Sequence, residues 1–105
     1  MAAEFTDSNF KTEVLDSSKL TAIDFWAEWC GPCRALAPTM DALANDYGPK
    51  VRIGKLNVDE NPEVTMRYMV RGIPTIILFK GGQLVDQVVG AVDKGVLKGM
   101  IDKHA

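Results

Sequence analysis

Eight consecutive residues, Leu20 to Ala27, constrain this chain more than any other feature. Written as a strand, they put Leu20, Ala22, Asp24 and Trp26 on one face and Thr21, Ile23, Phe25 and Ala27 on the other. Both faces are mostly apolar. A strand of that kind is covered on both sides, as in a layered α/β sheet. Asp24 is the anomaly in it.

The rest of the pattern supplies the layers. After a short apolar start at Phe5, the segment from Asp7 to about Ser17 spaces Phe10, Val14 and Leu15 as a helix, with Thr6, Asp7 and Ser8 available as caps. Beyond the central strand, Leu36, Met40, Leu43 and Tyr47 recur at intervals of four, three and four, a single helical stripe. Pro38 lies inside that stripe and predicts a kink, and Gly48-Pro49 ends it. Val51 to Val58 reads as a second strand with Lys55 in its middle, and Asn61-Pro62 opens a shorter helix towards Tyr68. Ile76 to Phe79 has the signature of a buried strand. Gly81-Gly82 accepts the positive φ of a hairpin turn, and Leu84 to Val89 runs back. Val96, Leu97, Met100 and Ile101 mark a last helix, whose Gly95 and Gly99 each cost up to about 1 kcal/mol and make it depend on packing. The order is βαβαβαββα, with parallel crossover units first and an antiparallel hairpin last.

Composition narrows the function. At 105 residues, 47% of them apolar and 25% charged, the expectation is a single ordered domain over residues 1–105 that folds without disulfide or metal staples. A net charge of −2 without a basic stripe argues against a nucleic-acid partner. The longest apolar run, Ile76 to Phe79, falls far short of the roughly 20 residues that span a bilayer, so no membrane partner is expected. The opening Met1-Ala2-Ala3-Glu4 has neither part of a secretory signal, which predicts a soluble cytoplasmic protein.

The only cysteines, Cys30 and Cys33, fall between the central strand and the helical stripe. Closing so short a loop stabilises a fold little, so the pair calls for a chemical explanation. In the first turn of a helix, residues three apart lie roughly 5–6 Å apart at Cα, within disulfide range. Cys30 stands at the helix start, where unpaired N–H groups and the helix dipole favour the thiolate that attacks disulfides. Cys33, one turn in, is shielded and suited to resolving a mixed disulfide. Gly31-Pro32 tightens the turn and removes an N–H, which tunes the redox poise. Two plainer readings compete. A zinc site needs four ligands, and Cys30, Cys33 and His104 supply three, with His104 reading as a solvated tail residue. Inert buried thiols are the other.

Asp24 reads either as a strand-edge carboxylate reaching water or as a buried acid whose pKa is raised by desolvation. In the second case it could take the proton from Cys33 when Cys33 attacks. Lys55 on the next parallel strand is placed to approach it, as a partly buried partner or as a purely structural ion pair. Trp26 reads as packing beneath the pair and Trp29 as a surface contact. The Ile73-Pro74-Thr75 turn before a central strand is a setting in which a cis proline is built in.

Asp24-Phe25-Trp26-Ala27-Glu28-Trp29-Cys30-Gly31-Pro32-Cys33-Arg34 closely resembles the active-site stretch of thioredoxins. So do Lys55-Leu56-Asn57-Val58-Asp59, Arg71-Gly72-Ile73-Pro74-Thr75 and Val89-Gly90-Ala91, in family order and spacing over nearly the whole chain. The resemblance implies the thioredoxin fold, a central mixed five-stranded sheet with two helices on each face. It implies Cys30 as exposed nucleophile, Cys33 as resolving thiol, Asp24 as its buried acid/base partner and Pro74 as cis. It maps a substrate surface onto Trp29, Gly31, Pro32, Ile73, Pro74, Gly90 and Ala91. It further implies a general protein-disulfide reductase, a monomer without bound cofactor or metal, recycled by a flavin-dependent thioredoxin reductase drawing on NADPH. Met69 departs from the glycine that commonly follows the family's tyrosine, which puts the turn before Arg71 in question. An oxidase or isomerase of the same fold is disfavoured by the Gly-Pro dipeptide and by the opening without a signal. A non-enzymatic interaction subunit would keep its partner activity after both cysteines became serine.

Overall fold

The computed structural model describes residues 2–105. The elements follow in the order β1 (Ala3–Glu4), a short wide helix (Lys11–Leu15), β2 (Thr21–Trp26), α1 (Gly31–Tyr47), β3 (Arg52–Asn57), α2 (Pro62–Arg67), β4 (Thr75–Lys80), β5 (Gln83–Val89) and α3 (Lys94–His104). The five strands form one sheet in the order β1-β3-β2-β4-β5. β1, β3 and β2 run parallel, whereas β4 is antiparallel to β2 and β5 to β4.

The sheet switches from parallel to antiparallel after α2. The connection from β3 through α2 stays at the pole where β3 stops, and β4 starts there, with Thr75 opposite Phe25. In consequence the ends of β2, β3 and β5, the start of β4 and the start of α1 all meet at one pole of the molecule.

β2 is the strand that its two apolar faces predict. Ala22 and Leu20 join Leu36, Met40 and Leu43 of α1, Ile76 and Leu78 of β4, and Leu97 and Ile101 of α3. Ile23 and Phe25 join the opposite cluster with Phe5, Phe10, Val14, Leu56, Val64, Ile77 and Phe79. Edge-on packing of Tyr68 on Phe79 (ring centroids 4.9 Å apart) and of Phe10 on Phe79 (5.4 Å) organises that second layer. α3 forms despite Gly95 and Gly99 because Leu97 and Ile101 are buried on it.

Three local expectations change. The first helix is shorter than Asp7–Ser17: only Lys11–Leu15 is helical, and its last turn closes over five residues, from Asp16 N–H to Lys11 O. Asp7 does not cap it. Its carboxylate instead accepts the N–H groups of Val64 (2.9 Å) and Glu63 (3.1 Å), capping α2 across the layer, while Thr6 Oγ1 takes the Asn9 N–H locally. α1 includes Pro38 within its helical span. The third change is at His104, which is not a solvated tail residue. Its Nε2 lies 3.0 Å from Asp86 Oδ2, and Lys80 Nζ donates to its carbonyl, so the end of α3 is docked on the β4–β5 hairpin.

Candidate functional site

The site assembles at the pole where the strands end. β2 delivers Trp26 and Ala27, a short turn follows, and α1 begins with Cys30 as its cap residue in extended conformation. Cys30 and Cys33 are joined as a disulfide, with Cα atoms 5.2 Å apart. Cys30 Sγ also accepts the N–H of Cys33 at 3.2 Å. The sulfur that expects negative charge in the reduced state thus already faces an unpaired N–H of the helix start. Pro32, in the first turn, costs no helical hydrogen bond there.

One expectation fails in this oxidised form: Cys30 is not exposed. It retains 5% of its accessible surface and Cys33 1%, because both pack with Ala27 against Trp26, Val58 and Ile73. Exposure at this pole belongs instead to Trp29, at 69%, and to Gly31, Pro32 and Ala91. The Trp29 indole N–H donates to Asp59 Oδ2 at 2.8 Å. Asp59 has its own place fixed by Asn57 Oδ1, which accepts the Asp59 N–H. Its role could not be read from the sequence, although it ends the Lys55–Asp59 stretch; only the tertiary fold brings it to Trp29. Arg34 donates to the Glu28 carbonyl and ties the turn to α1.

Across from the cysteines, the Ile73–Pro74 peptide is cis, and the Ile73 carbonyl oxygen lies 3.8 Å from Cys30 Sγ. Ile73 is half-buried and Pro74 buried, so of the two only Ile73 offers side-chain surface. Gly90, at φ 107°, gives its N–H to the Pro74 carbonyl at 2.8 Å and brings Ala91 alongside. Trp29, Gly31, Pro32, Ile73, Gly90 and Ala91 thus share one pole. Met69 takes the left-handed conformation (φ 56°) that glycine would adopt freely, so the turn keeps a glycine-type geometry with a methionine in it.

Asp24 lies below, on the face of β2 that carries Ala22. It is buried, its Oδ1 has no hydrogen-bond partner in the protein, and it lines a cavity of about 130 Å³ together with Cys33, Trp26 and Lys55. Loss of water pushes its pKa up to about 7, against a smaller downward pull from the Lys55 charge. Asp24 and Lys55 are register partners on β2 and β3, but no ion pair forms between them. The Lys55 ammonium sits 4.9 Å from the Trp26 ring centroid, a cation–π position that keeps it near water. The expected pair is therefore a neighbouring charge. Among the described residues, no group of His, Cys, Asp and Glu is arranged to hold a metal ion, and no helix is long and apolar enough to cross a membrane.

A disulfide that spans the first turn of a helix, beside a carbonyl edge able to receive an extended chain, is the working part of a thiol–disulfide oxidoreductase. The thioredoxin family model matches residues 1–103. Thioredoxin 1 of a Nostoc species is 54% identical over 103 residues, covering 98% of this chain and 96% of the relative. The thioredoxin of Chlorobaculum thiosulfatiphilum is 54% identical over 101 residues, covering 96% and 94%, and thioredoxin 1 of Synechococcus elongatus 53% over 104, covering 99% and 97%. The chain belongs to the thioredoxin family, with that family's fold. It is a protein-disulfide oxidoreductase that works by dithiol–disulfide exchange through Cys30 and Cys33, the disulfide itself serving as the redox group. Its substrates are, as a class, protein disulfides.

Proposed function

We propose that this single-domain, monomeric, cytoplasmic protein is a general disulfide reductase in which each site residue has a distinct task. In the reduced protein the Cys30 thiolate attacks one sulfur of a substrate disulfide. The new Sγ–S bond forms as the substrate S–S bond breaks, and the first substrate thiolate leaves. Cys33 then attacks Cys30 Sγ, expelling the second substrate thiolate and closing the Cys30–Cys33 bridge. The pair has given two electrons to the substrate. Asp24 takes the proton from the Cys33 thiol, and the cavity they share supports this. Gly31, Pro32 and Lys55 tune the pair: the first two shape the helix start, and Lys55 holds down the rise in the Asp24 pKa. Trp29, Ile73, Pro74, Gly90 and Ala91 receive the substrate chain as an added extended strand would be received, on main-chain groups. A flavin-dependent thioredoxin reductase, drawing on NADPH, returns the bridge to the dithiol.

The observation that carries this reading is the position of Cys30 as the cap of α1, with its sulfur on the Cys33 N–H. It supports Cys30 as the attacking sulfur and Cys33 as the resolver. The test is trapping with a protein disulfide, followed by mass spectrometry. Cys33→Ser is expected to accumulate the mixed disulfide and Cys30→Ser to accumulate little; equal trapping by both would remove the asymmetry.

A further inference from the structure

We infer that the pole opposite the disulfide holds a binding site for a small organic anion, a molecule that joins a pyrophosphate or similar multiply charged group to an apolar body. Lys19, Lys50 and Lys80 take the charge, and Leu20, Val51 and Tyr47 take the body.

The fold brings these residues together from distant parts of the chain. Leu20 precedes β2, Val51 precedes β3 and Lys80 ends β4, and these three strands are neighbours in the sheet. Tyr47 ends α1, and Lys50 follows in the turn to β3. The six residues of β2 separate this pole from Trp26 and the cysteines by about 20 Å. A ligand bound here leaves the exchange site open.

The six residues line a hollow of about 350 Å³. A second, of about 320 Å³, shares Lys19 and Val51 with it and reaches Arg52. Such volumes suit a small molecule. Leu20 and Val51 are each only 3% exposed and form a firm apolar floor. Tyr47 is half-buried, and its hydroxyl is fixed by donating to Asp102.

Charge completes the case. No carboxylate side chain lines either hollow. Among the described residues, Lys19, Lys50 and Lys80 have no carboxylate within ion-pair distance, whereas Arg52 is engaged by Glu13 at 3.1 Å. Lys80 Nζ is held in place by donating to the His104 carbonyl at 2.9 Å, which leaves two of its three protons to give. Three like charges around one hollow repel each other, and a bound anion with several charges relieves that repulsion. Lysine presents the compact charge that binds phosphate. A long polyanion is the poorer occupant, because the net charge of −2 opposes it beyond the hollow.

The experiment follows backbone amide resonances of the full oxidised chain by NMR at low salt. The probes are ADP, which joins a pyrophosphate to a flat aromatic body, inorganic pyrophosphate, adenosine and a tetraglutamate peptide. ADP is expected to shift the Leu20, Lys50 and Val51 amides saturably, pyrophosphate to shift them with weaker affinity, and adenosine to shift none. Lys19→Gln/Lys50→Gln is expected to lower the ADP affinity about tenfold. The same variant, once reduced, is expected to reduce hydroxyethyl disulfide at the wild-type rate, which shows it folded and the two sites separate. An ADP titration that never saturates overturns the site, as do shifts centred on other residues or an unchanged affinity in the variant. Tighter binding of tetraglutamate than of ADP overturns the small-molecule assignment in favour of an acidic protein segment.

Discussion

Ile23 and Asp24 are neighbours in β2, yet they face layers of opposite character. Ile23 points into a cluster closed by Phe5, Phe10, Phe25 and Phe79, each with 1% or less of its surface exposed. Asp24 points into the layer under α1, where a cavity of about 130 Å³ interrupts the packing and a carboxylate oxygen is left without a partner. One strand therefore serves both needs through its two-residue period. The aromatic layer stabilises the fold, and the α1 layer gives up stability at one position, where a buried carboxylate shares a cavity with Cys33. The two sides should respond oppositely to mutation.

The largest effect belongs to the aromatic side. Phe25→Ala is expected to cost about 3–5 kcal/mol in denaturant unfolding, the range for an aromatic removed from a closed core. Its rate of exchange under folding conditions should stay close to wild type, because Phe25 faces away from the Asp24 cavity. A loss of less than about 1 kcal/mol would mean that this layer is loosely packed.

On the other side, Asp24→Asn is expected to stabilise the protein. Below the unfolded-state pKa of about 3.8 both states carry the proton, and burial of the acid costs nothing extra. Between that value and about 7 only the unfolded chain releases the proton, so stability falls as pH rises, and above about 7 the loss is complete. The asparagine variant should lack this slope and be more stable at pH 8 by on the order of 4 kcal/mol. It should also slow the step in which Cys33 resolves the mixed disulfide. Parallel pH profiles for the two proteins would reduce Asp24 to a structural residue.

The smallest effect lies outside both layers. Met69→Gly is expected to gain about 1 kcal/mol by removing a left-handed methionine from an exposed turn. Thermal unfolding would measure it, and a loss of stability would show that Met69 packs against something that holds the turn.

How much of this was legible in the sequence depended on how local the cause was. β2 and α1 followed from their periodicities, the hairpin from two glycines that do take positive φ, and the cysteine pair from its spacing at a helix start. Asp24 stood out because a carboxylate contradicts an apolar strand. What could not be read depended on partners distant in the chain. Asp7 looked like a cap for its own segment but caps α2, 56 residues away. Lys55 was placed beside Asp24 correctly by strand order, yet its stem carries the charge over Trp26 instead. His104 looked like a free tail until the fold put Asp86 beneath it. The burial of Cys30 follows from the approach of Ile73 and Val58, which no local pattern encodes.

The central claim is that burial in the α1 layer keeps Asp24 protonated up to neutral pH. Titration of its side-chain carbon by NMR in the oxidised protein, with Asp24→Asn to assign the resonance, tests it directly. The account predicts a midpoint near 7. A midpoint near the ordinary aspartate value of about 3.9 would contradict it, and the acid/base role would fall with it.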